Sequence, residues 1–475
     1  MHSLRTSVLF WLTSRCLIVA LLYASAMAQG QNPTPVESRA QTLNAADQKA
    51  MKSAMDAEDA GHPQQAESLL RDLVNRHPEN FELVEALGLL YADLEKFDSA
   101  YPLLDKATRL SPSSAIAYAN LGAVQLKLHH ERQAVKALEK SVSLHPDNAQ
   151  TQTNLGLALM QTNEPKRAAV AFEHAAGASS QDSDLFYNWG VALMAAGDLQ
   201  SAAGVLSRAP NHDTSAQVQS LLGEIAEQQG KFKEAVDHDQ SAVRLDPTEA
   251  NIYALGLEFL RHWTFEPAMK IFDYGLSLYP QSARLLTGQG IAKYANDNYA
   301  EAAQIFASLL SKDPDNALYA KILGNSCNLM PDSIEGCNTL VDFARNHPTN
   351  ATAATFAAAS ILHRPTDATN LALAQTLLDR AIAEDPYMPD AYFQLGVLKQ
   401  QKGEWPESAA ALEKCLSLRP RLSKAHYRLA LAYSHMAEKD KAREQFALQQ
   451  QYSQEEKDDL NARLKEVTTF LVENH

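Results

Sequence analysis

Apolar residues recur along this chain at helical spacing for about a dozen positions, pause over a short polar stretch, and then resume. The segment YANLGAVQLKL (118–128), followed by HHERQ (129–133) and AVKALEKSVSL (134–144), shows one full cycle. Spacing of three and four residues places the apolar groups on one face of a helix. Each cycle therefore predicts a hairpin of two helices, A and B, joined by a tight polar turn.

The cycles share fixed slots. A glycine follows a Leu, Trp or Gln at Gly88, Gly122, Gly156, Gly190, Gly223, Gly256, Gly290, Gly324 and Gly396, and from Gly88 to Gly324 the step is 33 or 34 residues. Ala358 and Ala430 hold the same slot in two further copies. Twelve residues after the glycine stands a small residue, such as Ala100, Ala134 or Ala168. Four further on comes a bulky apolar one: Leu104, Leu138, Phe172, Leu206, Phe272 or Phe306. A proline closes most copies (Pro78, Pro112, Pro146, Pro247, Pro280, Pro314, Pro348, Pro386, Pro420). Glycine on A and alanine on B are expected where the two backbones approach closely. The proline, lacking an N–H, ends helix B and turns the chain into the next hairpin. One hairpin cannot bury both of its apolar faces, whereas a stack of them forms a continuous one-dimensional core.

On these residues the chain resembles the tetratricopeptide repeat family: Leu87, Gly88, Tyr91, Ala100, Leu104 and Pro112 match its pattern of Leu, Gly, Tyr, Ala, Phe and Pro. Twelve copies run from Asp47 to about Glu456. The resemblance implies an all-α fold, a right-handed superhelical solenoid of stacked hairpins, over 47–456. A capping helix follows, its end and the tail occupying 457–475. The cap spans Gln454–Val472, with Leu460, Leu464, Val467 and Leu471 covering the final apolar face. Two departures stand out. An insertion at His363–Asp367 lengthens the turn of the tenth copy, and the fourth-to-fifth junction (Gly177–Ser180) lacks its proline, so a bend is expected there.

Charge and composition narrow the partners. The 475 residues carry 42 basic and 57 acidic side chains, a net −15, which opposes binding to phosphate backbones and anionic membranes. The N-terminus reads as an export signal: Arg5 and Arg15, the apolar run Cys16–Ala24, then Ala26-Met27-Ala28 as a cleavage site. Cleavage after Ala28 leaves a body without a membrane span and with a flexible leader over 29–46. Retention of 1–28 as an anchor is the alternative. The expected location is periplasmic or extracellular.

No phosphate loop, dinucleotide, metalloprotease or nucleophile-elbow motif appears, and repeats fill almost the whole mature chain, so the reading is non-enzymatic, without cofactor or metal. His77, His145 and His347 precede closing prolines, where an imidazole serves the carbonyl end of helix B. His129-His130 lies in a polar turn. In the family's architecture helix A lines the concave groove, and one inward slot holds Asn120, Asn154 and Asn188 in successive copies. These resemble the asparagine ladder of the repeat region of O-GlcNAc transferases, in which amides hold an extended peptide through its backbone. Leu157, Met160, Tyr187, Val191 and Met194 adjoin them. Simple local hydrogen bonding by the three asparagines is the alternative.

Lys424 and Arg428, next to Tyr427, Phe393 and Gln394, resemble half of the carboxylate clamp of chaperone-binding members of the family. Thr355, Ala359 and Gln394 stand where its other half would be, and a cationic face paired with nearby carboxylates is the alternative. Cys327 and Cys337 face each other across one hairpin, either as two buried thiols or as a disulfide contributing roughly 3 kcal/mol in the loop-entropy model. Cys415 reads as a lone packed thiol. The function implied is a scaffold or adaptor of the bacterial envelope for other proteins or extended peptides. A glycan-contacting accessory role in polysaccharide synthesis or export is the alternative.

Overall fold

The structure is a computed structural model that describes residues 43–473 except 178–180, 331–334 and 365–366; the side chains of 335–337 and 462–473 lie outside the description. Among the described residues all regular structure is α-helical, 24 helices in twelve consecutive pairs. The first pair is Ala45–Asp59 with Pro63–Arg76, and the last is Ser423–His435 with Lys439–Glu473.

Local chemistry sets the boundaries. Most A helices open on a side chain that accepts from the N–H three residues on, as Asn80 does from Leu83, Asn148 from Thr151 and Asn350 from Ala353, satisfying a donor the helix leaves bare. The A–B turn passes through a left-handed residue at one recurring slot. Gly61, Gly197, Gly230 and Gly403 occupy it without strain, whereas Glu95, His129, Asn163, Trp263, Asp297 and Ala437 hold positive φ with a side chain. Helix B stops one residue short of the closing proline, at Leu110 before Ser111-Pro112 and at Leu418 before Arg419-Pro420.

The expected slots are the core. Ala100, Ala134, Ala168, Ala202, Ala268 and Ala302 are fully buried, as are Leu104, Leu138, Phe172, Leu206, Phe272 and Phe306. The glycine also serves a neighbour that the slot pattern did not name. A Cβ on Gly156 would stand 2.6–2.8 Å from three ring atoms of Phe172, and one on Gly122 would stand 2.5 Å from Leu138 Cγ. At these two positions the missing side chain makes room for the bulky residue sixteen positions on, and at Gly223 the carbonyl of the slot alanine Ala235 also comes within 3.4 Å.

The chain divides into two compact units, Met1–His212 and Asp213–His475. The first holds hairpins one to five and closes on a shortened helix B, Leu199–Leu206. The second holds hairpins six to twelve. Of the junction at 177–180, residues 178–180 lie outside the description, as do the signal and most of the leader. In hairpin ten helix B is lengthened to 17 residues (Ala368–Glu384), and residues 365–366 of the insertion lie outside the description. At the C-terminus helix B and the cap are one 35-residue helix. The end is held by polar and aromatic contacts rather than by Leu460, which is 44% exposed. Ser423 donates to Glu456 (2.8 Å), Gln445 meets His426 (2.6 Å), and the Tyr452 ring lies 5.3 Å from that of His426. The side chains of Leu464, Val467 and Leu471 are outside the description. No described helix is long and apolar enough to cross a membrane.

Candidate partner-binding groove and a buried acidic cluster

The expected groove residues lie in the first unit, on the A helices Ala115–Lys127, Ala149–Gln161 and Ser183–Ala195. Leu157, Met160, Tyr187, Val191 and Met194 are all half-buried, and Asn188 among them is half-buried as well. Asn120 and Asn154 sit deeper, each 4% exposed. Asn120 donates its amide to Glu85 Oε1 (3.2 Å), and burial raises the pKa of that carboxyl. Asn154 accepts from Gln150 Nε2 (3.2 Å), which leaves its own NH₂ uncommitted by that bond. The three amides are therefore not equivalent rungs: Asn120 bonds to the preceding hairpin, Asn154 bonds within its own helix, and Asn188 is the most accessible of the three.

In the second unit Lys424 Nζ lies 4.7 Å above the ring of Phe393, and Arg428 donates to the neutral amide of Gln400 (3.1 Å). Neither cation pairs with a carboxylate among the described residues. Tyr427 is exposed, its ring 6.1 Å from that of Phe446, and Gln394 is half-buried. Cys327 is disulfide-bonded; Cys337, the partner expected from sequence, has its side chain outside the description. Cys415 is a buried free thiol whose pKa burial pushes up to about 11.

The histidines before closing prolines behave differently from one another. His347 bonds the Phe343 carbonyl in the last turn of its helix (3.0 Å) and stacks on the Phe343 ring. His77 instead reaches across its hairpin to the buried carboxylate of Asp47 (2.8 Å), which Arg76 also grips. Hydrogen bonds from Arg76 and His77 hold the Asp47 pKa below its ordinary value.

One cluster went unrecognised in the sequence. Glu227 lies in the last turn of the A helix of hairpin six (Ala216–Gln228); Glu258 and His262 stand one turn apart at the end of the next A helix (Glu249–Arg261, capped by His262). His262 Nε2 lies 3.3 Å from Glu227 Oε2 and 3.3 Å from Glu258 Oε1, and the Phe232 ring packs 4.2 Å from the imidazole. Burial alone would lower the His262 pKa, but the two carboxylates outweigh it and raise it. Beneath them Asp239 occupies the bulky apolar slot of hairpin six, its carboxylate against Gly223 where neighbouring copies seat Leu or Phe. Burial, reinforced by the charge of Glu258, pushes the Asp239 pKa up to about 7. The signal available in sequence was this break in the slot pattern.

The fold and these surfaces define a repeat protein of stacked helical hairpins with a side-chain-rich A-helix face. Models of the tetratricopeptide repeat match residues 51–115, 120–183, 159–225, 253–325 and 389–422, together more than half the chain. The chain belongs to the tetratricopeptide repeat family. No curated protein matches it in sequence. Similar solved structures include YrrB, described as a TPR protein with an unusual peptide-binding site (20% identity, 39% of this chain and 95% of that one, TM-score 0.37). A tetratricopeptide repeat protein from Parabacteroides merdae (16%, 60% and 98%, 0.36) and MamA from Desulfovibrio magneticus (21%, 35% and 94%, 0.33) are others.

Proposed function

We propose that this chain is an exported, non-enzymatic scaffold of the bacterial envelope that holds an extended segment of a partner protein along its A helices. The observation that carries the reading is the half-buried run Leu157, Met160, Tyr187, Val191 and Met194 beside the accessible amide of Asn188. Apolar side chains that adapt their shape supply contact area, and an amide that both donates and accepts fixes a peptide backbone. Export rests on the N-terminal 28 residues, and mass spectrometry of the mature protein is expected to find Gln29 first. The glycan alternative has no observation of its own in its favour. Affinity capture with the mature chain tests the reading. A defined partner is retained by the wild type and lost from Tyr187→Ala/Asn188→Ala with the helical signal unchanged; equal retention by both refutes it.

A further inference from the structure

The stack of hairpins six and seven breaks the pattern that builds the rest of the core. The slot of Glu258 is filled in other copies by Leu90, Val124, Ala158, Ile225 and Ala292, each at most 3% exposed. Glu258 is 1% exposed in the same place. A carboxylate there costs stability unless something compensates its charge. Arg261 meets Oε2 at 3.0 Å. Oε1 is buried without a hydrogen-bond partner, although it points at His262 Nε2 from 3.3 Å.

We propose that Glu227, Glu258 and His262 form a binding site for a divalent transition metal of the zinc class, with one coordination position open on the Glu227 side. Each residue offers one ligand atom, and the three atoms lie within 4.8 Å of one another. A tetrahedral ion with bonds of about 2.0–2.1 Å spaces neighbouring ligands by about 3.3–3.4 Å. The two separations at His262 Nε2, both 3.3 Å, match that edge and exceed the ordinary length of a charge-assisted hydrogen bond, about 2.7–2.9 Å. Glu258 and His262 are four residues apart on one helix face, the spacing at which two side chains converge on a single ion. The mixed oxygen and imidazole donors suit zinc-like ions over magnesium or calcium, which take oxygen alone. Exposure rises from 2% for the Glu258 side chain through 9% for His262 to 24% for Glu227, so the ion would enter past Glu227 and keep water or a partner's side chain as its fourth ligand. The ion satisfies the orphaned Oε1, while Arg261 holds Oε2.

Cobalt(II) is the probe, titrated into chelator-treated, tag-free mature chain. The expected result is one saturating equivalent with the visible absorption of tetrahedral cobalt, displaced by Zn²⁺ and unaffected by Mg²⁺. His262→Gln and Glu227→Gln are each expected to weaken binding at least about ten-fold with the far-UV circular dichroism unchanged, whereas His129→Gln leaves it intact. Glu227→Gln, at the most exposed ligand, keeps the test valid if His262→Gln does not fold. The proposal is overturned if the wild type shows no saturable binding, or if both ligand variants bind cobalt like the wild type; the three side chains would then be a buried ion-pair triad only.

Discussion

Replacing Gly156 by alanine sets two opposing quantities against each other inside one fully buried contact. Gly156 lies within the helix Ala149–Gln161, where alanine is favoured over glycine by about 1 kcal/mol. The new methyl, however, would stand 2.6, 2.7 and 2.8 Å from three ring carbons of Phe172, well inside the optimum of about 3.5–4.0 Å. Phe172 is 0% exposed and seated among Ala158, Leu159 and Ala168, so the ring cannot swing clear. Overpacking of this kind costs about 3 kcal/mol at the upper end of its usual range, and subtracting the helical gain leaves a loss of about 2 kcal/mol. Gly204 is the control: it lies in the helix Leu199–Leu206 of the same unit, with nothing within 4 Å of its would-be Cβ. Gly204→Ala is expected to stabilise by about 0.5–1 kcal/mol. Because repeat arrays need not unfold in one step, native-state hydrogen exchange of amides in each altered hairpin, alongside urea melts, is the suitable assay. With Phe172→Ala already present, the Gly156→Ala penalty should vanish. Stabilisation by Gly156→Ala in the wild-type background, or a penalty that survives removal of the ring, refutes the reasoning.

Other consequences are equally concrete. Asp239→Leu restores the apolar slot and should raise stability by about 1–3 kcal/mol in denaturant melts; a decrease would show that the buried carboxyl is structurally required. Asp47 has a depressed pKa when folded, so its contribution is present above the unfolded value of about 3.9 and is lost as pH falls through the lower folded value. Asp47→Asn should flatten the acid limb of the stability curve, and an unchanged limb counts against the contact with Arg76 and His77. Peptide mapping without reductant should recover Cys327 joined to Cys337, and reduction should cost about 3 kcal/mol; a free Cys337 contradicts the pairing. Glu95→Gly relieves a left-handed residue and should leave stability equal or higher by up to about 1 kcal/mol, in contrast to glycine placed within either neighbouring helix.

The repeat was legible because its slots are local. A glycine, an alanine and a bulky residue fall at fixed intervals within a single hairpin, and the buried rows at Ala100, Ala134 and Ala168 follow directly. What the glycine touches was not legible: the interval to the alanine suggested a backbone approach, whereas the methyl would meet Phe172 or Leu138. The environment of the asparagine slot was only partly legible, since that one slot places Asn120 and Asn154 at 4% exposure and Asn188 half out, with Glu85 and Gln150 as the bonded neighbours of the first two. The acidic cluster escaped because Glu227 and His262 are 35 residues apart and meet only through the stacking of two hairpins. Asp239 marked that place as a single exception in an otherwise regular column.

Site-specific photo-crosslinking tests the central claim, that a partner segment lies along the A helices, most directly. A photoreactive residue at Val191 on the A-helix run is compared with one at Val170, 52% exposed on helix B of the preceding hairpin. The account predicts that Val191 captures one partner through a single extended segment, that a synthetic copy of that segment competes, and that Val170 captures none of it. Capture of the same segment from Val170 and not from Val191 would place binding on the other face and contradict the account.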